Sequence, residues 1–181
     1  MRKTIFSVVC IFLFGVMAVL GEQPQSTAPG ISLQKDLTFW HASMEFGGSF
    51  DTMNQSVQTF MGEFFKQGLV PAGPVVGAFF NDPRLVKPEE LKWSIGLVVN
   101  QDANVQAPLK KEEFKAKIAA VYTHIGPYEK LGQVYEQIFK YADDNGYKIL
   151  WPVYDQYLNN PMEVNSEELK TKVIIPLESK E

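Results

Sequence analysis

The sequence contains very little cysteine and histidine. Its 181 residues include one cysteine, Cys10, and two histidines, His41 and His124. A single thiol excludes a disulfide within the chain, and two histidines on separate segments give no metal-ligand spacing such as His-x3-His. We therefore expect no disulfide framework, no metal site and no cofactor.

Positive charge is also scarce. Lysine and arginine number 17 against 21 aspartate and glutamate residues, which gives a formal net charge of -4. Binding to nucleic acid needs a basic surface, whereas the pair Lys110-Lys111 is followed at once by Glu112-Glu113. This short charged run predicts a solvated helix start or linker, and no nucleic-acid partner is expected.

Motifs of the common enzyme classes are missing. The sequence has no Gly-x-Ser-x-Gly element, no phosphate-binding loop and no dinucleotide fingerprint. A binding function is therefore favoured over catalysis, and the residues alone leave enzymatic activity undecided.

The N-terminus has the layout of a secretory signal peptide. Arg2 and Lys3 form a short basic region, and residues 5–20 are almost wholly apolar and uncharged. We predict a signal peptide over residues 1–21 and a periplasmic or secreted protein, not stably inserted in a membrane once the peptide is removed. An uncleaved anchor is the alternative, since the apolar run is slightly long for a signal peptide, although it is shorter than the roughly 20 residues of a full span. Residues 22–36, which begin rich in Gln, Pro, Ser and Thr, are predicted to form a flexible linker.

An internal repeat is the most informative feature that is present. Residues 126–177 align with residues 48–99 at a constant offset of 78, without a gap. The matched positions are Gly48 with Gly126, Gly68 with Gly146, Pro74-Val75 with Pro152-Val153, Asn81-x-Pro83 with Asn159-x-Pro161, and Glu89–Lys92 with Glu167–Lys170. The glycines, prolines and asparagines that end elements match in the same register as a charged run, so we predict a duplicated unit. Repeat one is predicted at 37–99 and repeat two at 112–177, within a single domain over 37–178.

Each predicted repeat has the same local pattern. A strand-like run ends at a glycine, a helical pattern follows, and two further strands close the unit. Gly68 and Gly146 stand where each helix is expected to end, and Tyr135 falls on the apolar face of the second helix. Alternation predicts that Val153, Asp155 and Tyr157 share one strand face. Strands are predicted over 39–46, 74–80 and 91–99, then over 117–125, 152–158 and 169–177, with residues 100–111 as the connection. We predict an α+β fold in which duplicated strand-helix-strand units form an antiparallel sheet with two helices on one face. A groove between the helices is a usual place for a ligand.

The second repeat carries an ordered set of motifs. It contains His124-Ile125-Gly126-Pro127-Tyr128, then Trp151-Pro152, then Asn159-Asn160-Pro161, and a closing strand from Thr171 to Pro176. Together they resemble the GyrI-like small-molecule-binding family, also called the bacterial transcription activator effector-binding domain, over residues 37–178. The resemblance implies a fold similar to the haem-binding SOUL domains and binding of a hydrophobic or cationic small molecule.

The resemblance also implies a position for the ligand's counter-charge. Many relatives carry a buried glutamate two residues before a tyrosine, and here that place is taken by Asp155, with Tyr157 following. The aspartate side chain is one methylene shorter than that glutamate. Repeat one has Gly77 at the matched position, so one carboxylate at most serves the groove.

Further aromatic and apolar residues are candidates for ligand contact. Besides Asp155 and Tyr157 they are Tyr122, Trp151, Phe79, Met44, Trp40 and His124. Core packing is the alternative for the aromatic residues, because an aromatic stripe on a strand more often packs than binds. A structural role is the alternative for His124.

Three other functions compete with simple binding. A hydrolase of reactive small molecules would use Asp155 with Tyr157 or Tyr122 to activate a water. Haem binding like that of SOUL domains would use His124. A protein-interaction module would have a closed groove. Transcriptional control and gyrase inhibition are not expected, since the sequence shows no helix-turn-helix segment and the predicted signal peptide directs export. The ligand and the oligomeric state are not predicted.

Overall fold

The computed structural model describes residues 30–180. The predicted signal peptide and residues 22–29 of the predicted linker lie outside the described residues. Within residues 30–180, no helix is both long enough and apolar enough to span a membrane.

The described chain contains seven strands and two α-helices. The strands are β1 (Ile31–Gly47), β2 (Val75–Phe79), β3 (Lys92–Val98), β4 (Lys110–Ile125), β5 (Tyr147–Ile149), β6 (Val153–Tyr157) and β7 (Lys170–Ser179), and the helices are α1 (Met53–Lys66) and α2 (Leu131–Asp144). All strand pairings are antiparallel. The predicted α+β class, with an antiparallel sheet and two helices, is confirmed. The strand β5 was not predicted from the sequence.

The sheet closes on itself. The order is β4-β1-β3-β2-β6-β7, and β7 pairs in turn with β4. The short strand β5 pairs with the end of β7, next to β6. One face of this closed sheet surrounds an apolar core that includes Val76, Phe114 and Ile174. The other face carries the two helices.

Long-range pairing extends two strands beyond their predicted bounds. β1 begins at Ile31, which pairs with Tyr122 of β4, so residues 31–36 are strand and not linker. The run Lys110–Glu113 is also strand, paired with residues 40–43, and not a helix start or linker. Local composition did not show this, because the stabilising partner of each segment lies about 70–90 positions away in the chain.

Each helix packs one apolar stripe against the outer face of the sheet. Phe60 and Phe64 of α1 are fully buried in a core with Trp93. Ile138 of α2 is fully buried in a second core with Val173. Burying a side chain of this size contributes about 1.5–3 kcal/mol. Because each helix has its own core, the two helices do not need to close against each other.

Glycines end both helices as predicted. Gly68 and Gly146 follow α1 and α2 with φ values of 68° and 71°. This left-handed conformation suits a residue without Cβ and satisfies the last carbonyl groups of a helix. Gly68 N–H donates to the Phe65 carbonyl at 3.0 Å and Gly146 N–H to the Asp143 carbonyl at 3.1 Å.

The two asparagines of the predicted Asn-x-Pro turns hold the loops beside the helices. Asn159 Nδ2 donates to the Glu168 carbonyl at 2.8 Å, and its Oδ1 accepts from Lys170 N–H at 2.9 Å. Asn81 makes the same two bonds to Glu90 and Lys92, at 2.9 and 3.1 Å. Each loop is therefore fixed to the first residue of its closing strand.

Candidate ligand-binding site

A cavity of about 1120 Å³ lies between α1 and α2. Its floor comes from β2, β3 and β6, its walls from the two helices, and its mouth from residues 82–84 and 158–162. Small-molecule sites usually measure about 300–1000 Å³. The cavity therefore has room for a drug-sized molecule or a larger one.

The floor is formed where β2 pairs with β6. Gly77 lies directly opposite Asp155 in this ladder. The predicted two-residue period is confirmed, since Val153, Asp155 and Tyr157 of β6 all line the cavity. A Cβ built at Gly77 would lie 3.3 Å from both the Tyr157 hydroxyl and the tip of Phe79. The glycine thus leaves space for these two side chains over the centre of the floor.

Asp155 is a buried carboxyl group without a cationic partner. Its side chain lines the cavity, and the residue is 2% exposed. The Tyr135 hydroxyl of α2 donates to Oδ1 at 2.7 Å. No ion pair among residues 30–180 includes Asp155. Burial raises the pKa of Asp155 to about 7, and the bond from Tyr135 opposes the shift. The carboxyl group therefore gains and loses its proton near neutral pH.

Aromatic rings surround this carboxyl group. Tyr128 meets Tyr157 edge-to-face at 5.4 Å between centroids. The ring centroids of Tyr135 and Phe139 on α2 are 5.8 Å apart, and those of Phe139 and Trp151 are 6.2 Å apart. Burial and the neighbouring Asp155 raise the pKa of Tyr135 and of Tyr157 well above the usual value, so both hydroxyls are protonated donors. Aromatic faces of this kind attract organic cations.

The cation at the mouth is already neutralised. Arg84 Nη2 lies 2.6 Å from Asp82 Oδ2, and the guanidinium carbon lies 4.8 Å above the Phe139 ring. Hydrogen bonds from Arg84 lower the pKa of Asp82. Arg84 thus pairs with its own loop and covers part of α2, and it leaves the charge of Asp155 uncompensated.

The sequence model of the GyrI-like small molecule binding domain matches residues 41–178. The chain belongs to the GyrI-like family. No curated protein sequence matches the chain significantly. The GyrI-like fold is also found among solved structures. The crystal structure of the EcmrR C-terminal domain is 19% identical with a TM-score of 0.71, covering 82% of this chain and 97% of that one.

Two other solved structures share the fold at lower similarity. A hydrolase from Listeria innocua is 13% identical with a TM-score of 0.59, covering 85% of this chain and 94% of that one. SAV2435 bound to tetraphenylphosphonium is 12% identical with a TM-score of 0.54, covering 82% and 93% of the two chains. At these identities the likeness concerns the fold alone.

Four of the eight candidate contact residues of this GyrI-like domain line the cavity. They are Asp155, Tyr157, Trp151 and Phe79. Sequence periodicity located the first two on one strand face, and the structure adds that Phe79 lies beside them on β2. Trp151 is 37% exposed and forms part of the mouth.

The other four candidates lie outside the cavity lining of the GyrI-like domain. Trp40 and Met44 pack against the core beneath α1, and Tyr122 packs against the core beneath α2. His124 is 9% exposed, and its Nε2 lies 3.2 Å from the Pro127 carbonyl oxygen. The reason is strand order: β3, β2 and β6 are adjacent and form the floor, whereas β1 and β4 lie outside this group of strands. Core packing, the alternative reading, fits these positions. Within residues 30–180, no group of three or more His, Cys, Asp or Glu side chains is arranged to hold a metal.

Several cavity residues of the GyrI-like domain were not predicted as contacts. They are mainly helix residues: Met53, Val57, Met61 and Phe65 of α1, and Tyr135, Glu136 and Phe139 of α2, together with Phe50 and Tyr128. The sequence signal that could have found them is the width of each apolar helix face. On α2 the apolar face runs from Tyr141, in the core, to Phe139, in the cavity. These positions are about 160° apart around the helix axis, which is wider than the stripe of about 100° that packs on a sheet.

Proposed function

We propose that this GyrI-like domain binds a lipophilic organic cation in the cavity between α1 and α2, with Asp155 as its counter-ion. One observation carries the proposal. A buried carboxyl group lies on the cavity floor among aromatic rings, with a hydrogen bond from Tyr135 and no basic side chain paired to it. An unpaired buried charge is costly, and a bound cation would remove that cost.

The surrounding groups favour a cation with apolar substituents. Aromatic rings provide both apolar contact and a negative π-face. The Tyr135 hydroxyl bond stabilises the ionised carboxylate at the moment of binding. The relative SAV2435, with the same fold, is described bound to tetraphenylphosphonium. This lipophilic cation is therefore a suitable first probe for this chain.

The experiment is a calorimetric titration of tetraphenylphosphonium at pH 8 into the protein and into Asp155→Asn. We expect saturable binding at one site, weakened about tenfold to hundredfold in Asp155→Asn. Tetraphenylphosphonium cannot donate a hydrogen bond, and the coulombic attraction of two charges about 6–10 Å apart at an effective dielectric constant of about 20 is worth roughly 1.5–3 kcal/mol. Asp144→Asn is the matched control, since Asp144 lies on exposed α2 surface paired with Lys140. Equal affinity in all three proteins would show that Asp155 is not the counter-ion.

Hydrolysis is a second candidate, favoured by the pKa of about 7 at Asp155. A carboxyl group titrating near neutral pH, next to the Tyr135 hydroxyl, suits general acid–base catalysis. Turnover of an activated ester or a strained electrophile, lost in Asp155→Ala, supports this reaction class. Turnover that persists unchanged in Asp155→Ala, or no turnover above the uncatalysed rate, rejects it.

Export of the domain is proposed on the N-terminal pattern of Arg2, Lys3 and the apolar run 5–20. Expression of the full chain in a bacterial host, followed by fractionation, tests it. We expect a shortened protein outside the cytoplasm, and full-length protein in the cytoplasm for Leu13→Arg, whose charge interrupts the apolar run. Cytoplasmic full-length protein without the substitution contradicts export.

A further inference from the structure

Apart from the Asp82–Arg84 pair and the exposed Glu136 at the mouth, the charged and hydroxyl groups of the cavity come from one side only. Four residues of the second predicted repeat bring a hydroxyl or carboxyl group to the interior: Tyr128, Tyr135, Asp155 and Tyr157. The residues 78 positions earlier are Phe50, Val57, Gly77 and Phe79, and none has a polar side-chain atom. Phe50, Val57 and Phe79 also line the cavity. The same set of positions is thus polar beside α2 and apolar beside α1.

The remaining α1 side is apolar as well. Its wall and floor are formed by Met53, Met61, Phe65, Ile95 and Leu97. The polar lining residue on this helix, Asn54, is exposed and belongs to the mouth. Methionine side chains adapt to flexible apolar ligands, since they have several rotatable bonds.

The boundary between the two halves runs through the floor. Gly77 and Asp155, matched by the offset of 78, are direct neighbours across β2 and β6. A positive group that contacts Asp155 therefore sits at the centre, with aromatic hydroxyls on one side and the apolar α1 half on the other. A compact cation would fill the α2 half and leave the α1 half without a partner.

The α1 side of the cavity has no ring to match Trp151. Trp151 stands at the mouth on the α2 side, and the position 78 residues earlier is Gly73, which also lines the cavity. A Cβ at Gly73 would lie 3.0 Å from the Val98 side chain, so the backbone here is closely packed. Phe65 of α1 lines the cavity and is 59% exposed, which extends the apolar wall to the surface.

We infer that the ligand is an elongated amphiphile, with a single cationic head group at Asp155 and an apolar chain that runs along α1 toward Gly73 and Phe65. This inference rests on the proposed function and specifies its ligand class. Each methylene that enters the α1 half loses contact with water, which is worth about 0.8 kcal/mol or about fourfold in affinity at most.

The test is a series of n-alkyltrimethylammonium ions with butyl, octyl and dodecyl chains, titrated below their micelle concentrations at pH 8. Affinity is expected to rise by about tenfold or more from butyl to octyl, at a stoichiometry of one, because several methylenes are buried. Dodecanoate, with a comparable chain and the opposite charge, is expected to bind far more weakly. Equal affinity across the three cations, or tight binding of dodecanoate, overturns the inference.

Three variants separate the head from the chain. Met61→Trp fills the α1 half and is expected to reduce the octyl-to-butyl affinity ratio toward one. Asp155→Asn is expected to weaken every cation by a similar factor and to keep the ratio. Val57→Tyr, which places a hydroxyl in the path of the chain, is a second test of the chain path beside Met61→Trp. Circular dichroism and thermal unfolding establish that these two variants are folded. An unchanged ratio in both folded variants contradicts the assigned chain path.

The outcomes also separate this inference from the proposed function. If neither tetraphenylphosphonium nor any alkyl cation binds, the proposed function fails. If tetraphenylphosphonium binds through Asp155 and chain length has no effect, cation binding stands and the elongated ligand is rejected.

Discussion

Asp155 is an acidic side chain that the fold buries beside a tyrosine hydroxyl and without a cation. Its pKa of about 7 lies well above the ordinary value of 3.8, and desolvation is the main cause. Between pH 3.8 and about pH 7, therefore, the Asp155 carboxyl group is protonated in the folded state and ionised in the unfolded state. Stability contributed by this group is complete below pH 4 and is lost as the pH rises through 7.

Removing the charge should consequently stabilise the empty protein at alkaline pH. We expect Asp155→Asn to raise the free energy of unfolding at pH 8 by about 2–4 kcal/mol, given about 1.4 kcal/mol per pKa unit. At pH 4 the difference should largely vanish, since the carboxyl group is protonated in the folded protein. Urea denaturation at the two pH values measures the unfolding free energies. If Asp155→Asn destabilised the protein equally at both, ionisation of Asp155 would not be the cause of lost stability at pH 8.

Binding of a permanent cation should depend on pH in the opposite direction. Tetraphenylphosphonium has no titrating group, so its affinity follows the ionised fraction of Asp155. We expect affinity to increase about tenfold or more between pH 5.5 and pH 8 and to level off above that, with a midpoint near the pKa of about 7. In Asp155→Asn the titration curve should be flat. A flat curve in the unsubstituted protein would exclude Asp155 as the group that meets the cation.

At the scale of elements, the two loops at the cavity mouth depend on single asparagines. Asn159 joins the loop to Glu168 and Lys170 through both ends of its amide. We expect Asn159→Ala to cost about 1–2 kcal/mol in unfolding free energy, since two hydrogen bonds of about 0.5–1.5 kcal/mol are lost. Asn160→Ala is the comparison. Asn160 is exposed and its two hydrogen bonds, to Met162 and Glu163, stay within the loop, so water can replace them and we expect a cost below about 0.5 kcal/mol. Equal costs of the two changes, measured by thermal unfolding, would contradict this role.

Local sequence patterns predicted the elements well and their neighbours poorly. Helical spacing and the following glycines located α1 and α2, and strand alternation identified the shared face of Asp155 and Tyr157. Alternation tells which residues share a face, but it does not tell which strand lies alongside. The pairing of residues 31–36 with β4, and the closure of β7 onto β4, therefore had to come from the structure.

The same limit explains the candidate site. Asp155 and Tyr157 were predicted because strand period and family resemblance agree on β6. Trp40 and Met44 lie on β1, which the structure positions beneath the core of α1, away from the cavity. Tyr135 was assigned to an apolar helix face, and its role became visible only when α2 was located above Asp155, with 2.7 Å between hydroxyl and carboxyl oxygens.

At the scale of the whole molecule, the two predicted repeats do not form separate sheets. β1 of the first repeat pairs with β4 of the second, and β2 pairs with β6, so the closed sheet needs strands from both. Each helix nevertheless has its own apolar core. We expect the shared sheet to make both halves unfold together. For a domain of this size a single cooperative transition is the usual behaviour.

A core substitution under α2, observed from under α1, tests this coupling. In a protein carrying Trp40→Phe and Trp151→Phe, fluorescence reports on Trp93, which is fully buried beneath α1. Adding Ile138→Ala, a fully buried position of α2, should lower the unfolding free energy reported by Trp93 by about 2–5 kcal/mol. Lys140→Ala on the exposed side of α2 should change it by less than about 0.5 kcal/mol. If the Trp93 transition does not move with Ile138→Ala, the halves unfold independently, and ligand bound at Asp155 would stabilise only the α2 half instead of the whole closed sheet.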